Sequence, residues 1–410
     1  MTTSDVWRKL FPRPPAGFIF MRYAHAELTL KRLLNLRRLK WEYDRGATHL
    51  RSLPLKLVLE ATNVCNLSCP ACFTGAGENG RVRSSMTLDL YRKILRELGD
   101  TLMEIEFYNW GEPLLSKFIY TMIGEAHARG LATTVSTNFS IPFDAEKAEQ
   151  LVRSGLTFLG VSIDGARQES YQQYRVGGSL QRVLDNCRLV IEARRRLGST
   201  TPRVIWEYHV FAHNVADTEL ARQISNEIGF DELTFTKGYT IGTEWAPDSP
   251  YKFWPPYYTA VRCAFLWQYA VIHNDGGVAP CCGTFYREDD MGALSVRPGD
   301  LGARSFREVW NGPAFRGARA FYRERVESPE NRRAICFDCP QTVVWHDFRR
   351  HVAAGGVPEE YKLQFSANDG YNFFWNRRPT TRDTKAVLRP DPQPVPDPQP
   401  APIGVAPREA

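Results

Sequence analysis

The sequence predicts an α/β protein built on a parallel sheet, because two kinds of segment alternate along the chain. Short apolar runs alternate with amphipathic helical segments from residue 55 to about residue 240, and this alternation gives six strand–helix units. Repeated strand–helix–strand order joins parallel strands through right-handed crossovers. Six units are fewer than a complete eight-fold barrel needs, so an open barrel and a doubly wound sheet both fit the pattern.

Each predicted element is identified by its periodicity. Strands are predicted where short runs are rich in apolar and β-branched residues, at 55–61, 103–108, 131–136, 157–163, 203–211 and 232–237. Helices are predicted between them from apolar residues that recur every three or four positions, near 87–98, 116–129, 144–153, 180–197 and 216–228.

The chain divides into four predicted regions by composition. Residues 1–50 form a basic helical extension, and residues 51–240 carry the strand–helix repeat. Residues 241–350 begin with an aromatic, proline-rich stretch and hold five of the nine cysteines, which predicts a second unit. Residues 351–410 form a C-terminal extension whose last part, 389–410, contains eight prolines and is expected to be extended and disordered.

Charge and hydropathy narrow the possible classes of protein. The net charge is mild, 52 − 46 = +6, and much of the excess lies in KRLLNLRRLK at 31–40. A surface helix with a solvated basic face is the favoured interpretation, and docking on a membrane surface or an acidic partner is the alternative. No segment resembles a nucleic-acid-binding motif. The longest N-terminal apolar patch is FIFM, too short for a signal peptide or a membrane span, so we expect a cytoplasmic protein.

Three cysteines in CNLSCPAC, Cys65, Cys69 and Cys72, directly follow the first predicted strand. Loops at the carboxyl ends of parallel strands build active sites in such folds. A zinc site would need a fourth ligand, and no further Cys or His follows closely. Three thiolates on a four-iron cluster would leave one iron open, as a catalytic metal requires. The spacing therefore predicts a cluster with a vacant position for a small molecule.

The C-x3-C-x2-C spacing after the first strand resembles the signature of radical S-adenosylmethionine (SAM) enzymes. This resemblance implies a partial (β/α)6 TIM-like barrel. It also implies a [4Fe-4S] cluster whose open iron binds SAM, and reductive cleavage of SAM to a 5′-deoxyadenosyl radical that takes a hydrogen atom from substrate. A flavodoxin- or ferredoxin-type reductant would be a partner. One departure is Ala71, where the family usually has an aromatic residue, although Phe73 follows Cys72.

Further motifs carry the resemblance over residues 55 to about 237. NWGEP at 109–113 is similar to the family's Gly-Gly-Glu-Pro motif, with Trp110 in place of the first Gly, and it implies that Gly111 and Glu112 bind the SAM ammonium group. YRVGGS at 174–179 resembles the family's Arg-Gly segment, and a guanidinium there matches the SAM carboxylate. Polar residues at the ends of the later strands complete the implied SAM contacts: Ser136, Asn138, Ser162 and, from the Arg-Gly segment, Arg175.

A second set of cysteines follows the pattern C-x12-G-x4-C and then C-x2-C. Spacing alone leaves zinc and an iron–sulfur cluster equally open. The pattern resembles the SPASM or shorter twitch extension of radical SAM enzymes, as does the predicted helical segment 305–319. The resemblance implies one auxiliary [4Fe-4S] cluster with four thiolate ligands: Cys263, Cys281, Cys336 and Cys339.

Three other residues lie outside these sets, and two of them keep more than one interpretation. Cys187 lies on the apolar face of a predicted helix and is interpreted as core. Cys282 is an alternative ligand, a packed residue or a thiol that donates a hydrogen atom to a substrate radical. Asp164 either contacts a ligand at the end of the fourth strand or caps the turn before Gly165.

These resemblances imply a radical SAM enzyme that completes a net oxidation through its auxiliary cluster. The implied substrate is a small molecule, sugar- or aminocyclitol-like, or a peptide. Two alternatives remain. One is a redox-neutral epimerase that uses a Cys hydrogen donor, and the other is a non-catalytic iron–sulfur electron-transfer protein.

Overall fold

The computed structural model describes residues 25–77, 80–237, 245, 263, 265–284, 286–294, 304–324 and 336. These residues all belong to one compact unit that spans Met1–Arg377. The proline-rich tail, the predicted ligand Cys339 and most of the aromatic stretch after residue 240 lie outside the described residues. The predicted domain boundaries therefore stay predictions.

Six parallel strands form the sheet of the repeating region. They are β1 (Lys56–Leu59), β2 (Glu104–Phe107), β3 (Ala132–Thr137), β4 (Phe158–Ser162), β5 (Arg203–Val210) and β6 (Glu232–Lys237). Each strand pairs with its neighbour in sequence, and the order is β6-β5-β4-β3-β2-β1. In a doubly wound sheet the spatial order of the strands reverses at an internal strand, whereas here each strand lies beside the next one in sequence. This sequential order confirms the predicted partial (β/α)6 barrel.

The helices of the repeat follow their strands as predicted. They are α2 (Leu88–Leu98), α3 (Ile119–His127), α4 (Ala145–Arg153), α5 (Gln168–Tyr174), α6 (Leu180–Arg196) and α7 (Thr218–Ile228). Several begin at a side-chain cap, such as Thr87, whose hydroxyl accepts from the Leu90 amide, and Asp144, whose carboxylate accepts from the Lys147 amide. The short helix α5 lies in a region for which the sequence predicted no helix.

The two faces of the sheet differ in polarity because side chains alternate along each strand. Residues such as Leu57, Phe107 and Trp206 pack against the helices and form the buried core. The opposite face, which is the interior of the barrel, carries charged and polar residues. Lys56 there contacts Glu106 with a distance of 2.6 Å between Nζ and Oε2, and both side chains are almost fully buried.

The same sheet continues into the C-terminal cysteine-rich segment. Strand β7 (Tyr269–Ile272) pairs parallel with β1, and β8 (Gly277–Ala279) and β9 (Gly292–Ala293) extend the sheet antiparallel. The carboxyl end of β7 therefore lies beside the carboxyl end of β1. The first cysteine segment follows β1 at this end, whereas β8 runs antiparallel to β7 and leads into Cys281 towards the amino end of β7.

Helices outside the repeat pack on the core. The basic segment forms α1 (Leu30–Arg45), which buries one face through residues such as Leu36 and Leu39 and exposes Leu34 and Trp41 on the other. Helix α8 (Phe306–Trp310) lies within the predicted helical segment 305–319, and α9 (Pro313–Glu324) begins in it and ends five residues beyond it. Helix α8 starts at a capping box formed by Ser305 and Glu308. Within the described residues, no helix is both long and apolar enough to cross a bilayer.

Candidate active site

The first cysteine loop, residues 60–77, leaves the carboxyl end of β1 as a series of tight turns. The Cys72 amide donates to the Cys69 carbonyl at 3.1 Å, and the Ala76 amide donates to the Cys72 carbonyl at 2.7 Å. A side chain at Gly75 would place its Cβ only 2.5 Å from the Cys69 backbone nitrogen and oxygen, so the loop closes on itself only with glycine there. The three predicted thiols are thereby held in one short loop.

The three thiols interact with one another electrostatically. Burial raises the pKa of Cys65 to about 11, and the neighbouring Glu112, Cys69 and Cys72 add to this rise. Burial also raises the pKa of Cys69, which Arg175 opposes. Without a bound cation Cys65 and Cys69 stay protonated at neutral pH, whereas a metal centre would deprotonate its thiol ligands.

Two polar side chains reach the sulfur atoms. Asn138 Nδ2 lies 3.7 Å from Cys65 Sγ and also donates to Asn66 Oδ1 at 3.1 Å. Arg175 Nη1 lies 4.0 Å from Cys69 Sγ. Donors directed at sulfur stabilise thiolates and the clusters that thiolates hold. Both residues were predicted from sequence as SAM contacts, and the structure places both beside the cysteines.

Arg175 is fixed by a buried carboxylate. Its Nε donates to Asp164 Oδ2 at 2.6 Å, and Asp164 is fully buried. Asp164 Oδ1 also accepts from the His209 backbone amide at 2.7 Å and lies 3.0 Å from His209 Nδ1. Burial opposes ionisation of Asp164, but Arg175 and His209 outweigh it and lower its pKa to about 2. Asp164 is therefore an anion that anchors Arg175, which is neither the ligand contact nor the turn capping considered from the sequence.

The loop after β2 packs directly on the first cysteine loop. A Cβ at Gly111 would lie 2.0 Å from the Thr62 carbonyl oxygen, so the two backbones approach more closely than any side chain allows. The Glu112 amide donates to the Val64 carbonyl at 2.8 Å. These contacts place the Gly-Glu-Pro segment beside the cysteines, as the resemblance implied.

Glu112 is fully buried, and its carboxylate accepts three hydrogen bonds. Its carboxylate accepts from Thr137 Oγ1 at 2.6 Å, from the Asn138 amide at 2.8 Å and from the Leu114 amide at 3.1 Å. Burial raises the pKa of Glu112, and these hydrogen bonds together with Arg175 oppose the rise. Glu112 thus ties the end of β3 to the loop after β2, a contact that sequence alone did not predict.

The two predicted serines lie on the interior face of the sheet. Ser136 Oγ donates to Glu207 Oε2 at 3.2 Å, and Ser162 is buried at the end of β4, where it pairs in register with Glu207. Gly160 leaves room for this carboxylate, because a Cβ there would meet Glu207 Oε1 at 2.7 Å. The sequence did not single out Glu207, and only the register of β4 and β5 places it at this site.

The second cysteine set is also brought together. The thiol of Cys281 lies within electrostatic range of Cys282, Cys336 and Cys263, and burial together with these neighbours raises its pKa. Three of the four predicted ligands therefore meet, while Cys339 lies outside the described residues. Cys187 is fully buried on α6 and packs in the core, as predicted.

Cys282 follows Cys281 and contacts the interior face of the sheet. It packs beside Val58, Val271 and Tyr108 on the interior face of the sheet. Its thiol accepts a hydrogen bond from the Tyr108 side chain and lies near Glu106. This contact favours an interior location for Cys282 over a place among the ligands of the second set.

The arrangement suits iron–sulfur clusters in both places. Within the described part of the chain, no three Cys, His, Asp or Glu side chains converge closely enough to hold a single metal ion. A four-iron cluster binds each thiolate through a different iron, so its ligands need not converge on one point. Both donor sets fit such clusters chemically: three thiols in the first cysteine loop, and three described thiols from separate segments in the second set.

Two protein-family models match the chain. Residues 59–204 match the family model of the Radical SAM superfamily, and residues 263–340 match SPASM, an iron–sulfur cluster-binding domain. The first match begins at the end of β1 and includes the first cysteine loop. The second begins at Cys263 and ends just after Cys339, so it contains all four cysteines of the predicted auxiliary set.

Individual relatives are distant and only partly covered. A PqqA peptide cyclase from Bradyrhizobium diazoefficiens is 28% identical over 127 residues, which are 31% of this chain and 33% of that protein. The tungsten-containing aldehyde ferredoxin oxidoreductase cofactor-modifying protein of Pyrococcus furiosus is 29% identical over 199 residues, 48% of this chain and 54% of that protein. Streptococcus suis SuiB bound to S-adenosylmethionine has the same fold, with a TM-score of 0.51 at 16% identity, over 74% of this chain and 76% of SuiB.

Proposed function

Because the chain belongs to the radical SAM superfamily and carries an iron–sulfur cluster-binding SPASM domain, we propose that Cys65, Cys69 and Cys72 hold the SAM-binding [4Fe-4S] cluster. The observation that supports this most directly is the position of the three thiols, at the carboxyl end of β1 with Asn138 and Arg175 directed at their sulfur atoms. When bound, the cluster supplies the electron that cleaves SAM and so generates the species that removes a substrate hydrogen.

The residues around the cysteines orient SAM. Arg175 pairs with the SAM carboxylate. A guanidinium has five N–H donors, and the hydrogen bond from Nε to Asp164 uses one of them, so the others are available to SAM. The SAM ammonium group binds near Gly111 and Glu112, where backbone carbonyls and the carboxyl oxygens of Glu112 can accept from a cation. Ser136 and Ser162 contribute polar contacts from the adjoining strands, and Asn138 donates to the Cys65 sulfur.

The enzymatic proposal has a simple test. Anaerobically reconstituted protein is incubated with SAM and a strong reductant, and 5′-deoxyadenosine is measured. The proposal predicts 5′-deoxyadenosine, because a four-iron cluster held by Cys65, Cys69 and Cys72 alone would leave one iron to which SAM could bind. A non-catalytic iron–sulfur electron carrier would yield none, and that result would refute the proposal.

We further propose that the second cysteine set binds one auxiliary [4Fe-4S] cluster through Cys263, Cys281, Cys336 and Cys339. Convergence of Cys263 and Cys336 on Cys281 supports this. Four protein thiolates leave no iron open, so this site suits electron transfer and a net two-electron oxidation of substrate. Reconstituted protein should contain about eight irons per chain, four for each cluster. About four irons with one zinc would instead make the second site structural.

The proposed substrate is polar, either a sugar- or aminocyclitol-like small molecule or a peptide. The interior face of the barrel supports a polar substrate, because Lys56, Glu106 and Glu207 line it. The likeness to a PqqA peptide cyclase supports the peptide class. A flavodoxin- or ferredoxin-type protein is the proposed reductant. Incubation with candidate substrates under reducing conditions, followed by mass spectrometry, distinguishes the classes, and a mass loss of two hydrogens identifies oxidation.

A second candidate function is redox-neutral epimerisation with Cys282 as hydrogen-atom donor. The observation that favours it is the place of Cys282 on the interior face, hydrogen-bonded to Tyr108. An epimerase would transfer one solvent-derived deuterium into the product in D2O, and Cys282→Ala would stop product formation while 5′-deoxyadenosine still formed. An oxidised product without solvent deuterium excludes this function.

A further inference from the structure

Trp110 contacts both cysteine loops. It stands where the family motif has its first Gly. The Phe73 ring packs edge-on against the indole with 5.4 Å between ring centroids, and the Thr74 hydroxyl donates to the Trp110 carbonyl. On its other side, the indole Nε1 donates to the Thr284 carbonyl at 2.9 Å. One side chain therefore joins residues next to Cys72 to a residue close to Cys281.

The partner of the indole is itself tied to the second cysteine loop, residues 280–284. Thr284 is fully buried, and its hydroxyl donates to the Cys281 carbonyl at 2.8 Å. The Thr284 amide also donates to that carbonyl, at 3.4 Å. A shift of the indole would therefore move the turn that carries Cys281.

The backbone of Trp110 is held by a buried side chain. Its backbone amide donates to Glu60 Oε2 at 3.3 Å, and the preceding Asn109 side chain donates to the same oxygen at 3.3 Å. Glu60 also lies 3.4 Å from His273 Nδ1, and both side chains are almost fully buried. Trp110 is thus held at its backbone by the ends of β1 and β7 while its ring spans the gap between the loops.

We propose that Trp110 is a positioning residue that couples the two cysteine loops, so that SAM binding at the first loop changes the stability of the second. The inference rests on the proposed cluster sites. The glycine of the family motif has no side chain that could form this bridge. Coupling between two sites in one protein commonly amounts to 5-fold or more in an equilibrium constant, roughly the lower limit that we expect here.

The test is hydrogen–deuterium exchange of the full chain, reconstituted anaerobically, with and without SAM and without reductant. In the unmodified protein, SAM should slow exchange in peptides covering residues 277–284 by about 5-fold or more. Trp110→Phe keeps a ring against Phe73 but removes the indole N–H, so this slowing should be lost. Trp41→Phe, at an exposed position on α1, should retain it.

Two outcomes would overturn the proposal. One is an unmodified protein in which SAM leaves exchange at 277–284 unchanged, and the other is a Trp110→Phe variant that keeps the SAM response. Thr74→Val, which removes the hydroxyl that donates to the Trp110 carbonyl, should weaken the response and tests the bridge if Trp110→Phe fails to fold. SAM cleavage is scored separately by 5′-deoxyadenosine, so failure of the proposed activity is distinguishable from failure of the coupling.

Discussion

At the scale of single residues, the most consequential contact is the one between Asp164 and Arg175. Asp164 has no exposure to solvent, and its carboxylate receives Arg175 Nε at 2.6 Å and the His209 amide at 2.7 Å. A buried charge pair is costly to break, because the remaining charge is left without a partner in a poorly solvated place. Arg175 in turn lies against the Cys69 sulfur, so the pair determines where the guanidinium sits.

Asp164→Asn should destabilise the protein by about 3–5 kcal/mol, because it leaves Arg175 buried without its anion. Urea denaturation of the full chain measures the change. Asp185→Asn is the matched control, since the Asp185–Arg188 pair is about half exposed and should contribute less than about 1 kcal/mol. Equal losses in the two variants would contradict the role given to Asp164.

The pH dependence of stability should carry the signature of Asp164. Its pKa is lowered from 3.8 to about 2 in the folded protein, so the stabilisation is complete above about pH 4 and is lost as the pH falls through 2. The loss amounts to about 2 kcal/mol, from the shift of the pKa. Melting curves of the cluster-free protein between pH 5 and 2 should fall more steeply for the unmodified chain than for Asp164→Asn. Parallel curves would show that Asp164 titrates normally.

At the scale of elements, the site depends on close backbone contact between two loops. Gly111 brings the loop after β2 against Thr62, and Gly75 lets the first cysteine loop fold back on Cys69. Neither contact leaves space for a Cβ atom, so the requirement for glycine comes from packing at these positions. The loops leave adjacent parallel strands, and the hydrogen bond from Glu112 to Val64 joins them.

Gly111→Ala should push the two loops apart and lower iron loading of the first cysteine loop. The added methyl group would overlap the Thr62 carbonyl, and overpacking of this kind costs about 1–3 kcal/mol. Iron content and melting temperature measure both effects. Gly124→Ala on α3 is the control, because its Cβ meets nothing closer than 3.9 Å and Ala favours a helix. Full iron loading in Gly111→Ala would contradict the predicted loop contact.

At the scale of the whole molecule, the barrel and the C-terminal segment share one sheet and one buried charge network. Strand β7 pairs with β1 along its whole length. Arg81, which follows the first cysteine loop, reaches Asp290 at 2.6 Å and Asp275 at 3.0 Å in the C-terminal segment. The Arg81 and Asp290 side chains are 1% and 9% exposed, so this pair is shielded from solvent, whereas Asp275 is 30% exposed. We expect the two parts to unfold together.

Arg81→Met should destabilise the C-terminal segment more than the barrel. It leaves Asp290 nearly buried without a cation, which should cost about 3–5 kcal/mol. Hydrogen exchange in residues 269–294 should rise above that in β3 and β4, whereas both regions exchange together in the unmodified chain. The exposed pair Arg92–Glu125 provides the control variant Arg92→Met. A uniform response across the sheet in Arg81→Met would argue against this network as the connection.

The apolar periodicity of the sequence predicted the strand–helix repeat well, but it did not predict most of the tertiary contacts at the site. The strands and main helices lie within a few residues of their predicted bounds, because apolar periodicity follows burial directly. Strand β7 was not predicted, since a four-residue run such as YAVI carries too little pattern to reveal its pairing with β1. The cysteine motif identified the first loop. By contrast, the Ser136–Glu207 contact and the Trp110 bridge join residues far apart in sequence, which no local pattern brings together. Asp164 and Arg175 are only 11 residues apart, but the short helix α5 between them was not predicted.

The central claim is that Cys65, Cys69 and Cys72 hold a four-iron cluster at which SAM is cleaved. The most direct measurement compares the unmodified chain with a variant that has Ala at all three positions, both reconstituted anaerobically. We expect a drop from about eight irons to about four per chain, because the auxiliary set stays loaded, and no 5′-deoxyadenosine from SAM and reductant. A variant that keeps its full iron content and still releases 5′-deoxyadenosine would contradict the account.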